Sequence, residues 1–265
     1  QKHIVWAGAK GAKTQLSVVY LHGFSGTGID IDPVPEKVAK TLGANVYYAR
    51  LTGHGIDASS LGAATPESWI EDTAEALAIG RKLGEKVLVI GTSTGGTLAT
   101  IAAADPVLSK DIVGVVLVSP NFRTKSTQSR IFDLGFAPVW VPFLTGPEYS
   151  RAPTSEDHAT YWITTYPISA LFNVTALARA AQTLDLTIVD IPLVVLYSPD
   201  DQVVDAQFTT ATFLQDWRGP VRWEAFHMTE QDDPGSHMII GDIRSPAQTA
   251  SAIEVILDWS NGLDL

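Results

Sequence analysis

A serine flanked by two glycines is the residue of this chain best suited to covalent chemistry. The pentapeptide Gly-Thr-Ser-Thr-Gly at residues 91–95 follows an apolar run at 86–90 and precedes a helix-forming segment at 97–104. A serine on a sharp turn from a strand into a helix crowds the positions two before and two after it, so both must be small. The spacing and its flanks therefore predict a nucleophilic serine, Ser93, on a strained turn.

A serine hydroxyl is a poor nucleophile at neutral pH and needs an imidazole as general base, usually oriented by a carboxylate. The expected order along the chain is serine, acid, histidine. Two aspartates, Asp200 and Asp201, follow the strand predicted at residues 192–197. An acid followed by one variable residue and a short apolar pair is the commoner arrangement. This favours Asp201 and leaves Asp200 as a surface or helix-capping carboxylate.

His237 is the predicted general base. It follows the strand predicted at residues 221–226, as the expected order requires. The apolar residues 238–240 directly behind it would pack against the body of the protein and fix the imidazole within reach of the serine.

The remaining histidines are expected to have no catalytic role. His54 lies between two glycines, where a histidine typically hydrogen-bonds the backbone of a turn. His227 ends a predicted strand and is expected to be structural. No placement of His3 or His158 brings either of them to Ser93.

Attack on a carbonyl carbon places negative charge on its oxygen, which requires preorganised N–H donors. Such donors are normally the amide of the residue after the nucleophile and an amide from the loop after an earlier strand. Thr94 supplies the first. The second is expected from the loop His-Gly-Phe-Ser-Gly at residues 22–26, which follows the strand predicted at 16–21. Phe24 is the best-placed donor in this loop.

Strand-length apolar runs alternate with helix-length segments along most of the chain. Strands are predicted at residues 16–21, 45–49, 86–90, 112–118, 192–197 and 221–226. Helices are predicted near residues 33–42, 66–83, 94–104, 205–216 and 246–259. Alternation of this kind predicts an α/β fold in which a mostly parallel central sheet is flanked by helices on both faces.

Between residues 120 and 190 the alternation stops, and the chain becomes rich in aromatic residues punctuated by prolines. This composition predicts a small helical cap at about residues 122–186, inserted into a single domain of residues 1–265. Aromatic side chains of the cap, for example Phe136 or Trp162, are expected to form an apolar wall over Ser93. The alternative is a second packed layer without a functional cavity.

The composition excludes several classes of protein. The formal net charge is −11 without a long run of one sign, which disfavours binding to nucleic acid. The absence of cysteine excludes disulfides, thiolate chemistry and cysteine-bound metals. No histidine or carboxylate cluster shows metal-ligand spacing, and the longest apolar stretches are far shorter than the roughly 20 residues of a transmembrane helix. We therefore expect a small-molecule substrate, no metal and no cofactor.

Together these segments resemble the α/β-hydrolase superfamily, and within it the carboxylesterase and monoacylglycerol lipase-like members that carry a small cap. The similarity rests on motifs spread over nearly the whole chain, which are His22-Gly23-Phe24, Gly53-His54-Gly55, the glycine-rich hexapeptide at 91–96, Asp201 and Ser236-His237. It implies the α/β-hydrolase fold and a serine esterase that forms an acyl-serine intermediate. The implied substrates are esters of short to medium acyl chains, with monoacylglycerols among the candidates.

Two positions depart from the family pattern. Thr92 stands where histidine or another bulky residue is common, and the acidic segment at 229–236 is longer than usual before the histidine. A thioesterase, an amidase or a hydrolase of carbon–carbon bonds could use the same three residues. A non-catalytic ligand-binding member of the fold is disfavoured, because such proteins usually lack one of them. The sequence leaves open the natural substrate, the compartment and the oligomeric state.

Overall fold

Strands and helices alternate along the chain in the computed structural model, which describes residues 1–127, 131–132 and 134–265. The strands are β1 (His3–Val5), β2 (Thr14–Leu21), β3 (Asn45–Tyr48), β4 (Gly84–Thr92), β5 (Ile112–Val118), β6 (Glu148–Ser150), β7 (Thr165–Pro167), β8 (Leu193–Tyr197) and β9 (Val221–Ala225). The α-helices are α1 (Val34–Leu42), α2 (Ala58–Ala63), α3 (Pro66–Leu83), α4 (Thr94–Ala104), α5 (Ala137–Thr145), α6 (Glu156–Tyr161), α7 (Ser169–Gln182), α8 (Ala206–Ala211) and α9 (Pro246–Ser260).

Seven of these strands form one sheet in the spatial order β1-β3-β2-β4-β5-β8-β9. β1 pairs antiparallel with β3, and the other neighbouring pairs of this sheet are parallel. The predicted mostly parallel sheet is thus confirmed. The antiparallel edge strand β1 is not predicted from the sequence, because three residues are too few to show a periodicity.

The central strands bury both faces, because successive side chains point to opposite helical layers. Along β2, Val19 and Leu21 join the apolar cluster that includes residues of α3, α4 and α7. Val18 and Tyr20 join the cluster on the other face, which includes residues of α1 and α9. The two layers hold the carboxyl ends of β2 and β4 in fixed positions.

Local signals set the ends of several helices. α3 begins where the Thr65 side chain accepts a hydrogen bond from the amide of Ser68, and proline occupies its first turn, where the missing N–H has no cost. The helix predicted at 205–216 is shorter than expected. It ends as α8 at Ala211 and is followed by a separate 3₁₀ turn at Phe213–Asp216.

The chain between β5 and β8 contains the helices α5, α6 and α7. It also contains the two-stranded antiparallel sheet of β6 and β7, which the sequence does not predict. Each of these strands has three residues, too few for a detectable alternation, and β7 ends in a proline. The predicted cap range 122–186 includes residues 128–130 and 133, which lie outside the described residues.

The order of the strands creates a crevice. From β2 the chain passes to β3 on one side of it and then returns to β4 on the other side. Loops that leave adjacent parallel strands toward opposite sides leave a gap at the carboxyl ends of those strands, where α/β proteins bind ligands. Ser93 directly follows β4 and His22 directly follows β2, so both predicted loops border this gap.

The turn at Ser93 is strained and tightly packed. Ser93 has φ 50° and ψ −113°, a conformation that non-glycine residues rarely adopt and that costs about 1–3 kcal/mol. A Cβ on Gly95 would stand 2.0 Å from the carbonyl oxygen of Leu21. A Cβ on Gly91 would stand 2.5 Å from the carbonyl oxygen of Gly95. The two glycines therefore allow the turn to press against the end of β2.

We expect Gly95→Ala to lower the free energy of unfolding by about 3 kcal/mol or more, because the new methyl group meets backbone rather than a movable side chain. Urea denaturation followed by circular dichroism measures this. Gly8→Ala is the matched control, since a Cβ at Gly8 meets nothing within 4 Å. Equal stabilities of the two variants would contradict the close packing of Gly95 against the carbonyl oxygen of Leu21.

Candidate active site

Ser93, His237 and Asp201 form a continuous hydrogen-bonded chain at the carboxyl end of the sheet. The Oγ atom of Ser93 lies 3.1 Å from Nε2 of His237. Nδ1 of the same imidazole lies 2.8 Å from Oδ2 of Asp201. The structure therefore brings together the three side chains predicted from the sequence, although Ser93 lies more than 100 residues before the other two along the chain.

Asp201 is held by the loop that contains it. Its second oxygen, Oδ1, accepts hydrogen bonds from the amides of Val203 at 2.7 Å and Val204 at 2.9 Å. Asp200, the alternative acid, points away from this site, and its side chain is 71% exposed. Its Oδ2 atom lies 3.8 Å from Nδ1 of His227. The geometry thus agrees with the choice of Asp201 that the local sequence pattern favoured, and it places Asp200 at the surface.

Burial and Asp201 have opposite effects on the pKa of His237. Removal from water lowers the pKa of this imidazole, but the charge of Asp201 and the hydrogen bond to it raise the pKa above the ordinary value of 6.5. If Nδ1 donates to the carboxylate, Nε2 of the neutral ring presents its lone pair to the hydroxyl of Ser93. This is the arrangement that a general base requires.

The long acidic segment before His237 is ordered by a buried ion pair. Oδ2 of Asp233 accepts hydrogen bonds from the amides of His237 at 3.1 Å and Met238 at 3.0 Å. Its other oxygen accepts from the guanidinium of Arg244, and both side chains are 5% exposed. Burial raises the pKa of Asp233, but Arg244 and the two amides together bring it below its ordinary value. Through Asp233, the long segment at 229–236 therefore anchors the backbone of His237.

Sequence reasoning missed Asp233 and Arg244. Arg244 also contacts Thr154 and His158, which belong to the segment between β5 and β8. His158 does not bond to Ser93, as expected, but it lines the same cavity. Burial, together with Arg244 and Arg151, lowers the pKa of His158 to about 4. No local pattern signals this cluster, because its members meet only in the folded chain.

The loop after β2 is fixed beside Ser93. Nδ1 of His22 lies 2.8 Å from the carbonyl oxygen of Gly23, and Nε2 of His22 accepts from the amide of Leu51 at 3.1 Å. Burial lowers the pKa of His22 to about 4, so the ring is neutral. A Cβ on Gly23 would stand 3.4 Å from Cβ of Ser93. The close approach places the following residue, Phe24, at the cavity wall.

His54 supports this loop. Its Nδ1 lies 3.1 Å from the carbonyl oxygen of Thr52, so the predicted backbone contact is present. The ring packs edge-on against the rings of His22, Phe24 and Trp69. Burial is the main cause that lowers the pKa of His54 to about 3. Thr94, the other predicted donor, is the first residue of α4, where a backbone N–H has no acceptor within the helix.

A cavity of about 760 Å³ opens above Ser93 and His237. Much of its wall is apolar and comes from the chain between β5 and β8. These residues are Ile131, Phe132, Tyr149, Trp162, Ile163, Tyr166, Ile168, Leu171 and Val174. Trp162 therefore lines the cavity, as suggested from the sequence. Phe136 does not, since it is absent from the lining and is 85% exposed.

Neither a metal-binding cluster nor a membrane-spanning helix occurs among residues 1–127, 131–132 and 134–265. Within these ranges no group of three or more histidine, cysteine, aspartate or glutamate side chains is arranged to hold a metal ion. Within the same part of the chain, no helix is both long and apolar enough to cross a bilayer.

The family is established by a sequence model that spans most of the chain. The model of the alpha/beta hydrolase family matches residues 18–258. The chain belongs to this family, in agreement with the parallel sheet and with the glycine-flanked serine at the end of β4.

Individual relatives are more distant. A stretch of 104 residues is 31% identical to a thermostable monoacylglycerol lipase of Bacillus sp. (strain H-257), and this match covers 39% of the chain and 40% of that lipase. A metagenome-derived lipolytic enzyme superposes with a TM-score of 0.73 at 18% identity, covering 95% of this chain and 98% of the other. The monoacylglycerol lipase of Paleococcus ferrophilus has a TM-score of 0.69 at 17% identity, with 98% of each chain covered. At identities of 17% and 18%, these two similarities show a shared fold.

We expect the pKa of His237, followed by NMR titration of its ring protons, to lie above 6.5 because of Asp201. The protonated ring then predominates below this pKa, and the neutral ring, with its free lone pair, above it. Asp201→Asn should lower the pKa, since burial is then less opposed. Asp200→Asn is the matched control and should leave it unchanged. Equal effects of the two substitutions would contradict the assignment of Asp201 as the partner.

Proposed function

We propose that this protein is a serine hydrolase that cleaves carboxylic esters through an acyl-serine intermediate. The observation that carries the proposal is the unbroken chain from Asp201 through His237 to Ser93, opening into a largely apolar cavity. Membership of the alpha/beta hydrolase family and likeness to proteins named as lipases support it.

In the proposed first half-reaction, Oγ of Ser93 attacks the carbonyl carbon of the ester while Nε2 of His237 takes the hydroxyl proton. The carbonyl π electrons move to the oxygen, and the amides of Phe24 and Thr94 stabilise that oxyanion. The oxyanion then collapses, the bond to the alcohol breaks, and His237 returns the proton to the departing alkoxide. Asp201 holds the imidazole in the tautomer that both transfers need.

The second half-reaction repeats these steps with water. His237 removes a proton from the water, the hydroxide attacks the acyl carbon, and the carboxylic acid leaves as Ser93 recovers its proton. Every proton is moved by side chains of this protein, so the proposed reaction requires no metal and no cofactor.

The cavity suggests the class of substrate. We propose that the chain from about residue 122 to 186 forms a cap over Ser93, and that its apolar side chains hold a short to medium acyl chain. Each methylene that leaves water contributes about 0.8 kcal/mol, or close to fourfold in kcat/KM, until the pocket is full. The polar cluster of Thr154, His158 and Arg244 lies at the same cavity and would face the more polar part of an ester.

We expect Ser93→Ala to lower kcat on a p-nitrophenyl ester by about a million-fold while the protein stays folded, because the nucleophile is lost. A fluorophosphonate probe should label the parent protein at Ser93, as located by peptide mass spectrometry, and should not label the variant. Thioesters and amides assayed in parallel separate the alternative hydrolases. Retention of a tenth of the esterase activity in Ser93→Ala would exclude the acyl-serine mechanism.

A series of esters of graded acyl length tests the pocket. Log kcat/KM should rise with each carbon and then break at the pocket's limit. Trp162→Ala and Leu171→Ala alter the wall, so at least one of them should move the break. Phe136→Ala should not, since this aromatic residue is exposed and lies off the cavity. A profile independent of chain length, or one that Phe136→Ala shifts as strongly as the wall variants, would contradict an acyl pocket at this wall.

A further inference from the structure

A buried carboxyl group next to the active site has no part in the proposed proton transfers. Asp30 is 1% exposed and contributes to the cavity wall beside Gly23 and Ser93. A buried carboxyl that forms no salt bridge carries a desolvation cost, which native structures tolerate mainly where the group is fully hydrogen-bonded or functional. Its contacts therefore indicate what it does.

Asp30 lies in the loop after β2 and is connected to the end of β4 through Tyr20. Its Oδ2 accepts a hydrogen bond from the amide of Gly23 at 2.8 Å. Its Oδ1 accepts from the hydroxyl of Tyr20, and that hydroxyl lies 3.0 Å from Oγ1 of Thr92. Gly23 precedes Phe24 and Thr92 precedes Ser93. One buried network thus runs from the loop after β2 to the turn after β4.

The network acts on the direction of the Phe24 amide. The amide of Gly23 is held by Asp30, and its carbonyl oxygen is held by Nδ1 of His22. In a trans peptide the N–H of the next residue points opposite to that carbonyl. Fixing both ends of Gly23 therefore fixes where the N–H of Phe24 points, independently of any substrate.

Resting on the proposed function, we propose that Asp30 and Tyr20 are positioning residues that set the distance between the two oxyanion donors, the amides of Phe24 and Thr94. The pair ties the loop that carries Phe24 to Thr92 at the end of β4, two residues before Thr94, so losing it lets the two donors move relative to each other. Substrate binding in the apolar cavity does not depend on this distance, whereas stabilisation of the transition state does.

The chemistry of the pair explains why a carboxyl stands at this position. Burial raises the pKa of Asp30 to about 7, although the Tyr20 hydroxyl and the Gly23 amide oppose the rise. Two acceptor oxygens on one planar group serve two donors, the hydroxyl of Tyr20 in β2 and the amide of Gly23 in the loop after it. An asparagine keeps this shape. Its oxygen can accept from Gly23, and its amino group can donate to Tyr20, whose hydroxyl can then donate to Thr92.

The test compares Asp30→Ala, Asp30→Asn, Tyr20→Phe and the double variant Tyr20→Phe/Asp30→Ala on one ester. Asp30→Ala should lower kcat about 10- to 100-fold with KM nearly unchanged, since a displaced donor costs transition-state stabilisation. Asp30→Asn should restore kcat to within about threefold. The double variant should be no worse than Asp30→Ala alone, because the two residues act as one unit.

Two measurements separate positioning from general loss of structure. The inhibition constant of a trifluoromethyl ketone, whose adduct with Ser93 carries an oxyanion, should rise by the same factor by which kcat/KM falls. Tyr48→Phe is the matched control, since this buried ring packs against Tyr20 at 5.9 Å between centroids but has no hydrogen bond to Asp30. If Asp30→Ala does not fold, Tyr20→Phe carries the test, with an expected kcat loss of about fivefold or more.

The proposal fails if Asp30→Ala, or Tyr20→Phe in its place, keeps the parent kcat, or if the loss appears only in KM. It also fails if Asp30→Asn is as impaired as Asp30→Ala. Ser93→Ala assayed in parallel keeps the two proposals distinct. Activity that survives Ser93→Ala overturns the proposed function, whereas loss in Ser93→Ala with no loss in the Asp30 variants overturns only the positioning role.

Discussion

The candidate active site depends on the close contact between the turn at Ser93 and the end of β2. The left-handed conformation of Ser93 is tolerated because Gly91 and Gly95 let the backbone of the turn meet the carbonyl of Leu21 without an intervening side chain. The same contact brings the loop that carries Phe24 next to the serine. Without this contact, the proposed nucleophile Ser93 and the two proposed oxyanion donors would lie on separate loops whose distance from each other is not fixed.

Three buried carboxyl groups keep these loops in place, and each of the three accepts several hydrogen bonds. Asp201 is held by two amides of its own loop, Asp233 by Arg244 and the backbone of His237, and Asp30 by Tyr20 and Gly23. An unmatched buried polar group costs about 1–3 kcal/mol, so these networks strongly favour one arrangement over the alternatives. The rigidity that catalysis needs thus follows from satisfying groups excluded from water.

The cavity combines two environments. The segment between β5 and β8 supplies most of its apolar wall, while the cluster around Arg244 brings charge and hydrogen-bonding groups to the same space. Arg244 contacts Thr154 and His158 from this segment and Asp233 from the loop before His237. The segment that lines the cavity is therefore directly connected to the loop that carries the imidazole, and a change in one is expected to reach the other.

By itself the sequence determined the parallel sheet and the strand-to-helix turn at Ser93, because these depend on local periodicity and on glycines at fixed spacing. It also placed His237 by chain order. The local pattern after β8 favoured Asp201 over Asp200, and the tertiary structure shows that Asp201 is the one that reaches His237. Only the tertiary structure decided that Trp162 lines the cavity and Phe136 does not. The pairs Asp233 with Arg244 and Asp30 with Tyr20 could not be found from a pattern, because their partners come from separate elements and each pair is defined by shared burial rather than by a motif.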